Sequence, residues 1–378
     1  MIAKYPFKIK AIYTIAEFVF WLIISLLSVF RVFQRKASLN HQTKILLLEP
    51  YQMGDVISLS LLLNPLKQKY PNSEIYILSK TPNYFQNDNR IKAVYRINFA
   101  WTTPNQNRWK SILEWKTMLH ELSFLKKQNF DIGIETRGDI RSQFIMKYIG
   151  VKQTIGYKQA ITTDLKNYGL LVNHAVIPKY KHRFEWNLYT LTELGIEESN
   201  LFPIQLPSFY TKQSVKPTQN YILIHIGGGW KYKLWSNQKW ILLIEKLIEK
   251  YHLMVRVIGG ANESDNLGII KNHFNNSAFV TCEMTDFERL TERIQHAELL
   301  ICLDSGPQNL ASCMNKKTIV LFGPGHSEAF GPYSLGSKFI HKIHGFDCHP
   351  CFQQSCKRPS NSCMTQIEVQ DVLDLIEV

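Results

Sequence analysis

Residues 299–322 read LLICLDSGPQNLASCMNKKTIVLF. Five apolar residues run into Asp304-Ser305-Gly306-Pro307, a short helical stretch follows, and a second apolar run from Thr318 to Phe322 stops at Gly323-Pro324. Strand, glycine-bearing turn and helix in that order make one unit of a parallel α/β sheet, and ligands in such sheets bind beyond the carboxyl ends of the strands. At this turn Asp304 and Ser305 can cap the helix, Gly306 lets the backbone approach a phosphate, and Pro307 suits a first helical position. An ordinary capped turn would use the same four residues, so the surrounding sequence has to decide.

Upstream, the same alternation recurs. A strand over 221–225 meets Gly227-Gly228-Gly229, then a helix over 237–251; a strand over 254–258 meets Gly259-Gly260, then a helix over 263–274; a strand over 278–281 and a helix over 286–297 follow. The first half behaves alike. KILLLE at 44–49 is a continuous apolar run, as in a strand buried on both faces. A helix over 55–70, kinked or ended by Pro65, precedes strands over 74–78 and 91–97, a helix over 111–127, a strand over 130–135 and a helix over 140–148. A further helix over 185–194 is stopped by Gly195. Between the halves, 196–220 loses periodicity and carries Pro203, Pro207 and Pro217, as a linker would. The expected fold class is therefore α/β, with two Rossmann-like domains facing each other across a cleft. The expected divisions are 1–40, an apolar membrane-associated helix with basic flanks; 41–200, the first domain; 201–220, a linker; 221–364, the second domain with a cysteine cluster; and 365–378, a C-terminal helix.

The 378 residues are 45% apolar and 20% charged, ordinary for a folded protein, but the net charge of +13 asks for an anionic partner. No block of Lys and Arg forms a nucleic-acid arm, which leaves a membrane surface or a phosphorylated substrate. Residues 11–33, AIYTIAEFVFWLIISLLSVFRVF, hold one acid, Glu17, and no other charge before Arg31. That run is long enough to span a bilayer, yet it can equally lie in the interface or pack as a buried helix. Lys4, Lys8 and Lys10 precede it and Arg31, Arg35 and Lys36 follow, so the flanks set no orientation. No A-x-A-like site follows, which argues against a signal peptide.

Cys348, Cys351, Cys356 and Cys363 crowd together as C-x2-C-x4-C-x6-C. Four thiolates can hold zinc, form two disulfides in an oxidising compartment, or stay reduced, and the spacing lacks the paired knuckles of a zinc ribbon. Four loops carry candidate chemistry. Tyr51-Gln52-Met53-Gly54-Asp55 sets a carboxylate at a strand end, where Asp55 can cap a helix or take a proton from an attacking hydroxyl. Gly227 and Gly228 would present N–H groups to an anion, with Lys233 placed to neutralise a diphosphate. Glu263 would reach ribose hydroxyls or serve as a first-turn acid. The fourth loop is 304–307. Arg137 and Arg141, after the strand over 130–135, could bind acceptor phosphates or carboxylates in bidentate fashion.

Met53-Gly54-Asp55 with Leu66-Lys67 and Tyr70-Pro71, Lys233-Leu234-Trp235-Ser236, Asp304-Ser305-Gly306-Pro307 with Leu310-Ala311, and Leu321-Phe322-Gly323-Pro324 together resemble the heptosyltransferases of glycosyltransferase family 9. The resemblance runs from about Lys44 to the C-terminus and includes the cysteine cluster. It implies a GT-B-type enzyme that moves heptose from ADP-heptose to a lipopolysaccharide core or related lipid-linked acceptor, at the cytoplasmic face of the inner membrane. It further implies an inverting, metal-independent reaction with no cofactor, Asp55 as the general base and Lys233 on the departing diphosphate. Gly227, Gly228, Asp304, Ser305, Gly306 and Asn309 would hold the donor with Glu263 on its ribose, and Arg137 and Arg141 would hold the acceptor. Two departures stand out: Gln308-Asn309 replaces the family's x-His, and Trp235-Ser236 replaces a common Trp-Pro. The first favours an alternative reading as a non-catalytic, membrane-tethered nucleotide- or glycan-binding member. A Rossmann oxidoreductase is a third reading, opposed by the lack of G-x-G-x-x-G in 50–55.

Overall fold

The computed structural model describes residues 7–29, 42–81, 83–102, 108–160, 165–212, 214–349, 351 and 356–377. Lys4, Arg31, Arg35 and Lys36, most of the basic flanks of the apolar N-terminal run, lie outside the described residues. Residues 2–205 form one compact unit and 206–378 the body of another.

In the first unit α1 (Phe7–Val29) precedes β1 (Lys44–Glu49), α2 (Met53–Ile57), α3 (Ser60–Lys69), β2 (Glu74–Ser79), β3 (Ile91–Arg96), α4 (Arg108–Leu122), β4 (Ile132–Glu135), α5 (Ile140–Tyr148), β5 (Gln153–Tyr157), β6 (His174–Val176) and α6 (Arg183–Tyr189). The strands make one parallel sheet in the order β3-β2-β1-β4-β5-β6. Strand order reverses between β1 and β4, and the crevice beyond their carboxyl ends is where an open α/β sheet takes its ligand. The expected helix over 55–70 is two helices: the chain tightens at Ser58 and Leu59, where Leu59 N–H donates to the Val56 carbonyl, and Pro65 sits inside α3 without ending it. The expected helix over 185–194 is α6 plus a 3-10 turn, Thr190–Leu194, that Gly195 ends at φ +71°.

The second unit repeats the plan with β7 (Tyr221–His225), α7 (Asn237–Tyr251), β8 (Met254–Gly259), α8 (Ser264–His273), β9 (Val280–Met284), α9 (Phe287–His296), β10 (Leu299–Leu303), α10 (Gly306–Cys313), β11 (Thr318–Phe322), α11 (Ser327–Phe330), β12 (Lys338–His341) and α12 (Val369–Leu373). Its parallel sheet runs β12-β11-β10-β7-β8-β9, so the switch point lies between β7 and β10. Trp240 and Leu243 on α7, Val369 and Val372 on α12 and the strand side chains share one core. Trp235 joins that core, edge-on to Trp240, with its indole N–H on the Ile367 carbonyl at 3.0 Å. Ser236 caps α7, accepting the Lys239 N–H. β5, β6 and β12 are strands the periodicity does not announce; the last two are edge strands of three and four residues, and β5 is a five-residue strand interrupted by Gly156.

Candidate active site

Two constellations form, one at each switch point. In the first unit β1 ends on Glu49 and β4 on Glu135, both fully buried. Asp55 is the third residue of α2 and does not cap it; its Oδ1 accepts from Arg137 Nη1 at 2.5 Å. Arg137 stacks on the Tyr51 ring, 4.3 Å from its centroid. Beneath them lies Arg183, 1% exposed, whose Nη2 pairs with Glu49 Oε2 at 2.5 Å while Nη1 donates to the Thr136 carbonyl and Nε stands 3.9 Å from Asp55 Oδ1. Burial raises the Glu49 carboxyl to about 7, against the pull of Arg137 and Arg183.

Glu135 organises the loop after β4 by accepting the backbone N–H groups of Arg137, Gly138 and Asp139. Burial and the nearby charge of Asp139 raise it to about 7. Gly138 has φ +74°, and a Cβ there would stand 2.1 Å from the Gln159 carbonyl, so this sharp turn admits only glycine. Asp139 caps α5 and grips Arg141 through Oδ1 and Oδ2 at 2.9 and 2.8 Å. Tyr51 bridges the two, donating to Asp139 at 2.7 Å and accepting from Arg141 at 2.8 Å. Asp55, Arg137 and Arg141 thus gather in one network, with both arginines already held by carboxylates.

In the second unit the loops after β7, β8 and β10 converge. Glu263 folds back so that Oε2 accepts the Gly260 N–H at 2.8 Å. Its carboxylate passes so close to Gly227 that a Cβ there would lie 2.8 Å from Glu263 Cδ. Gly228 neighbours Lys233, whose ammonium donates to the Asp304 carboxylate at 2.7 Å and its carbonyl at 3.2 Å. The expected caps of α10 are not made. Ser305 holds the N-cap position, but its hydroxyl donates to the Leu303 carbonyl at 3.0 Å, and Asp304 is engaged by Lys233. The first turn of α10 therefore presents Gly306 and its neighbours without a side-chain cap, beside a lysine, as an anion site requires. Asn309 makes only a long contact, 3.5 Å, to the Ser305 carbonyl. His225, buried beneath the glycine loop, is held near pKa 4 by burial.

A match to the family profile Glycosyltransferase family 9 (heptosyltransferase) spans residues 122–361, well over half of the chain. The chain belongs to glycosyltransferase family 9. Among curated relatives of this family 9 chain, lipopolysaccharide heptosyltransferase 1 of Pseudomonas aeruginosa is 22% identical over 296 residues, 72% of this chain and 79% of that one. The structure of E. coli ADP-heptose lps heptosyltransferase II superposes with TM-score 0.65 at 17% identity, over 88% of this chain and 97% of that one. E. coli heptosyltransferase WaaC with ADP gives 0.62 at 17% identity, over 88% and 98%. These structures share the GT-B-type fold, and the family makes the chain a glycosyltransferase.

Glu49, Tyr51, Glu135, Asp139 and Arg183 belong to the first constellation, although the sequence assigns none of them a role there. Glu49 and Glu135 had a signal: each is an acid closing an otherwise apolar strand. Arg183 had none, since it lies 134 residues from its partner Glu49. In the second unit Cys348, Cys351, Cys356 and Cys363 line one cavity with Tyr232 and Pro324, and none of the four is joined in a disulfide. Among the described residues no three His, Cys, Asp or Glu side chains are arranged to hold a metal ion.

Proposed function

We propose that this family 9 glycosyltransferase moves heptose from ADP-heptose to a lipopolysaccharide-core acceptor, with inversion and without a metal, at the cytoplasmic face of the inner membrane. The names of its relatives support the sugar, the nucleotide and the acceptor class. The observation that carries the chemistry is the Asp55–Arg137 pair at the β1/β4 switch point, above the buried Glu49–Arg183 pair. Arg137 holds one oxygen of Asp55, which orients the carboxylate to take the proton of the acceptor hydroxyl. As that oxygen bonds to the anomeric carbon from the face opposite the nucleotide, the bond to the β-phosphate oxygen breaks and ADP leaves with the electron pair. Lys233 and the uncapped first turn of α10 receive the charge that develops on the diphosphate. In this reading 41–200 serves the acceptor and 221–364 the donor, with Gly227, Gly228, Asp304, Ser305 and Gly306 around the diphosphate, Glu263 toward the ribose and Arg141 toward acceptor anions.

Asp55→Ala tests it: transfer should fall by about 10^3-fold, a normal loss for a general base, while calorimetry shows ADP binding unchanged. Full activity in that variant would remove Asp55 from the chemistry. Asn309 favours a second reading, because its neutral amide cannot supply the positive charge of the family's histidine. Nucleotide binding with no turnover across a panel of ADP- and UDP-sugars would make the chain a binding member of the fold.

A further inference from the structure

The apolar N-terminal helix is long and apolar enough to cross a membrane, yet it is docked on the first unit by specific bonds. Glu17, fully buried, accepts the backbone N–H groups of Tyr168 and Leu170 at 2.8 and 3.0 Å. The Tyr13 hydroxyl donates to the Gly138 carbonyl at 2.9 Å and accepts from Ile140 N–H at 3.2 Å, which ties the helix to the loop bearing Arg137 and Arg141. Phe20 stacks on Phe144 at 4.6 Å, and Tyr13, Ala16, Phe20 and Ile24 pack against the core of that unit.

The opposite face is bare. Ile12, Ile15, Val19, Leu22 and Leu26, spaced 3, 4, 3 and 4, are exposed along one stripe, with Ile15 62% exposed. A soluble surface does not leave so long an apolar stripe uncovered. The occupant is identified by charge as well as greasiness. The helix's only acid is the buried Glu17, whereas Lys8 is exposed, on a chain of net charge +13. Tyr168 and Leu170, whose amides hold Glu17, are themselves exposed beside the helix. An anionic lipid surface matches this combination: hydrocarbon for the stripe and headgroup phosphates for the lysine.

We propose that α1 does not cross the membrane but lies flat on it, as a fixed part of the first unit, with the stripe Ile12-Ile15-Val19-Leu22-Leu26 immersed in an anionic leaflet and Tyr13 bonded to the 137–141 loop. A spanning helix would leave Tyr168 and Leu170 N–H without Glu17 and carry that carboxylate into hydrocarbon. The inference refines the membrane location proposed above, needs neither the sugar nor the acceptor, and is read without turnover. The test uses the full chain and vesicles of phosphatidylethanolamine and phosphatidylglycerol. Sedimentation should show binding, weakened at least tenfold by Ile15→Glu/Leu22→Glu with the melting temperature unchanged. Hydrogen exchange should show the Tyr168 and Leu170 amides as protected on vesicles as in solution. Loss of that protection on vesicles would mean the helix leaves the domain and spans. Equal vesicle binding by the double variant would move the contact elsewhere, and a lipid-insensitive dimer dispersed by the double variant would give the face to a second copy; each of these results overturns the proposal.

Discussion

Removing Glu49 from the Glu49–Arg183 pair leaves the Arg183 guanidinium, which cannot shed its proton, charged and without water. Both side chains are at most 1% exposed, and their contact is 2.5 Å. Glu49→Gln should therefore cost about 3–5 kcal/mol in urea unfolding, as broken buried pairs do. Glu49→Gln/Arg183→Met removes both charges and should recover much of that loss; if the double variant is as unstable as the single, the pair is not the source. Asp55 should feel the change too, since Arg183 Nε stands 3.9 Å from it. The same reasoning separates the arginines. Arg141 is committed to Asp139 and Tyr51, whereas Arg137 bridges the proposed base and the tyrosine face.

Among elements, β7 ends where its chemistry begins. His225 is its last residue, buried under the glycine loop, and burial holds its imidazole near pKa 4 against an ordinary 6.5. The folded state therefore keeps His225 neutral while the unfolded chain protonates it below about 6.5. The stability this provides is complete above pH 6.5 and is lost as pH falls toward 4. Across that window His225 accounts for roughly 3 kcal/mol by the 1.36 kcal/mol-per-unit conversion. Burial lowers His326 and His341 to about 4 as well, with His349 adding repulsion, so they act in the same direction. Thermal unfolding of His225→Asn between pH 4 and 7 should show a flatter pH dependence than the parent. An unchanged slope would assign the acid sensitivity to other groups.

For the molecule as a whole, α1 is structural to the unit it precedes. Deleting residues 1–41 would uncover Phe144, leave the Gly138 carbonyl and Ile140 N–H without Tyr13, and leave the Tyr168 and Leu170 amides without Glu17. The Phe20–Phe144 stack alone is worth about 0.5–1.5 kcal/mol beyond the area it buries, and the Tyr13 and Glu17 bonds go with it. The truncated chain should melt at least several degrees lower or aggregate, whereas removal of a mere tether would leave the melting temperature in place.

Sequence determined the α/β class, most strands and the order of the ligand loops. Buried parallel strands read as unbroken apolar runs, and the turns after them need glycines and small caps, so KILLLE at 44–49 and LLICL at 299–303 announce themselves. It also singled out Asp55, Arg137, Lys233 and Asp304 one at a time, each with a local capping or surface role equally open. Only tertiary structure removed the capping role: Asp55 sits inside the first turn of α2 with Arg137 on it, and Asp304 is engaged by Lys233. Short edge strands such as β6 escaped because three residues carry no period. Arg183, the flat seat of α1 and the burial of Glu17 were illegible for a common reason. Each depends on contacts more than 120 residues apart, where no local spacing records which group will meet which partner.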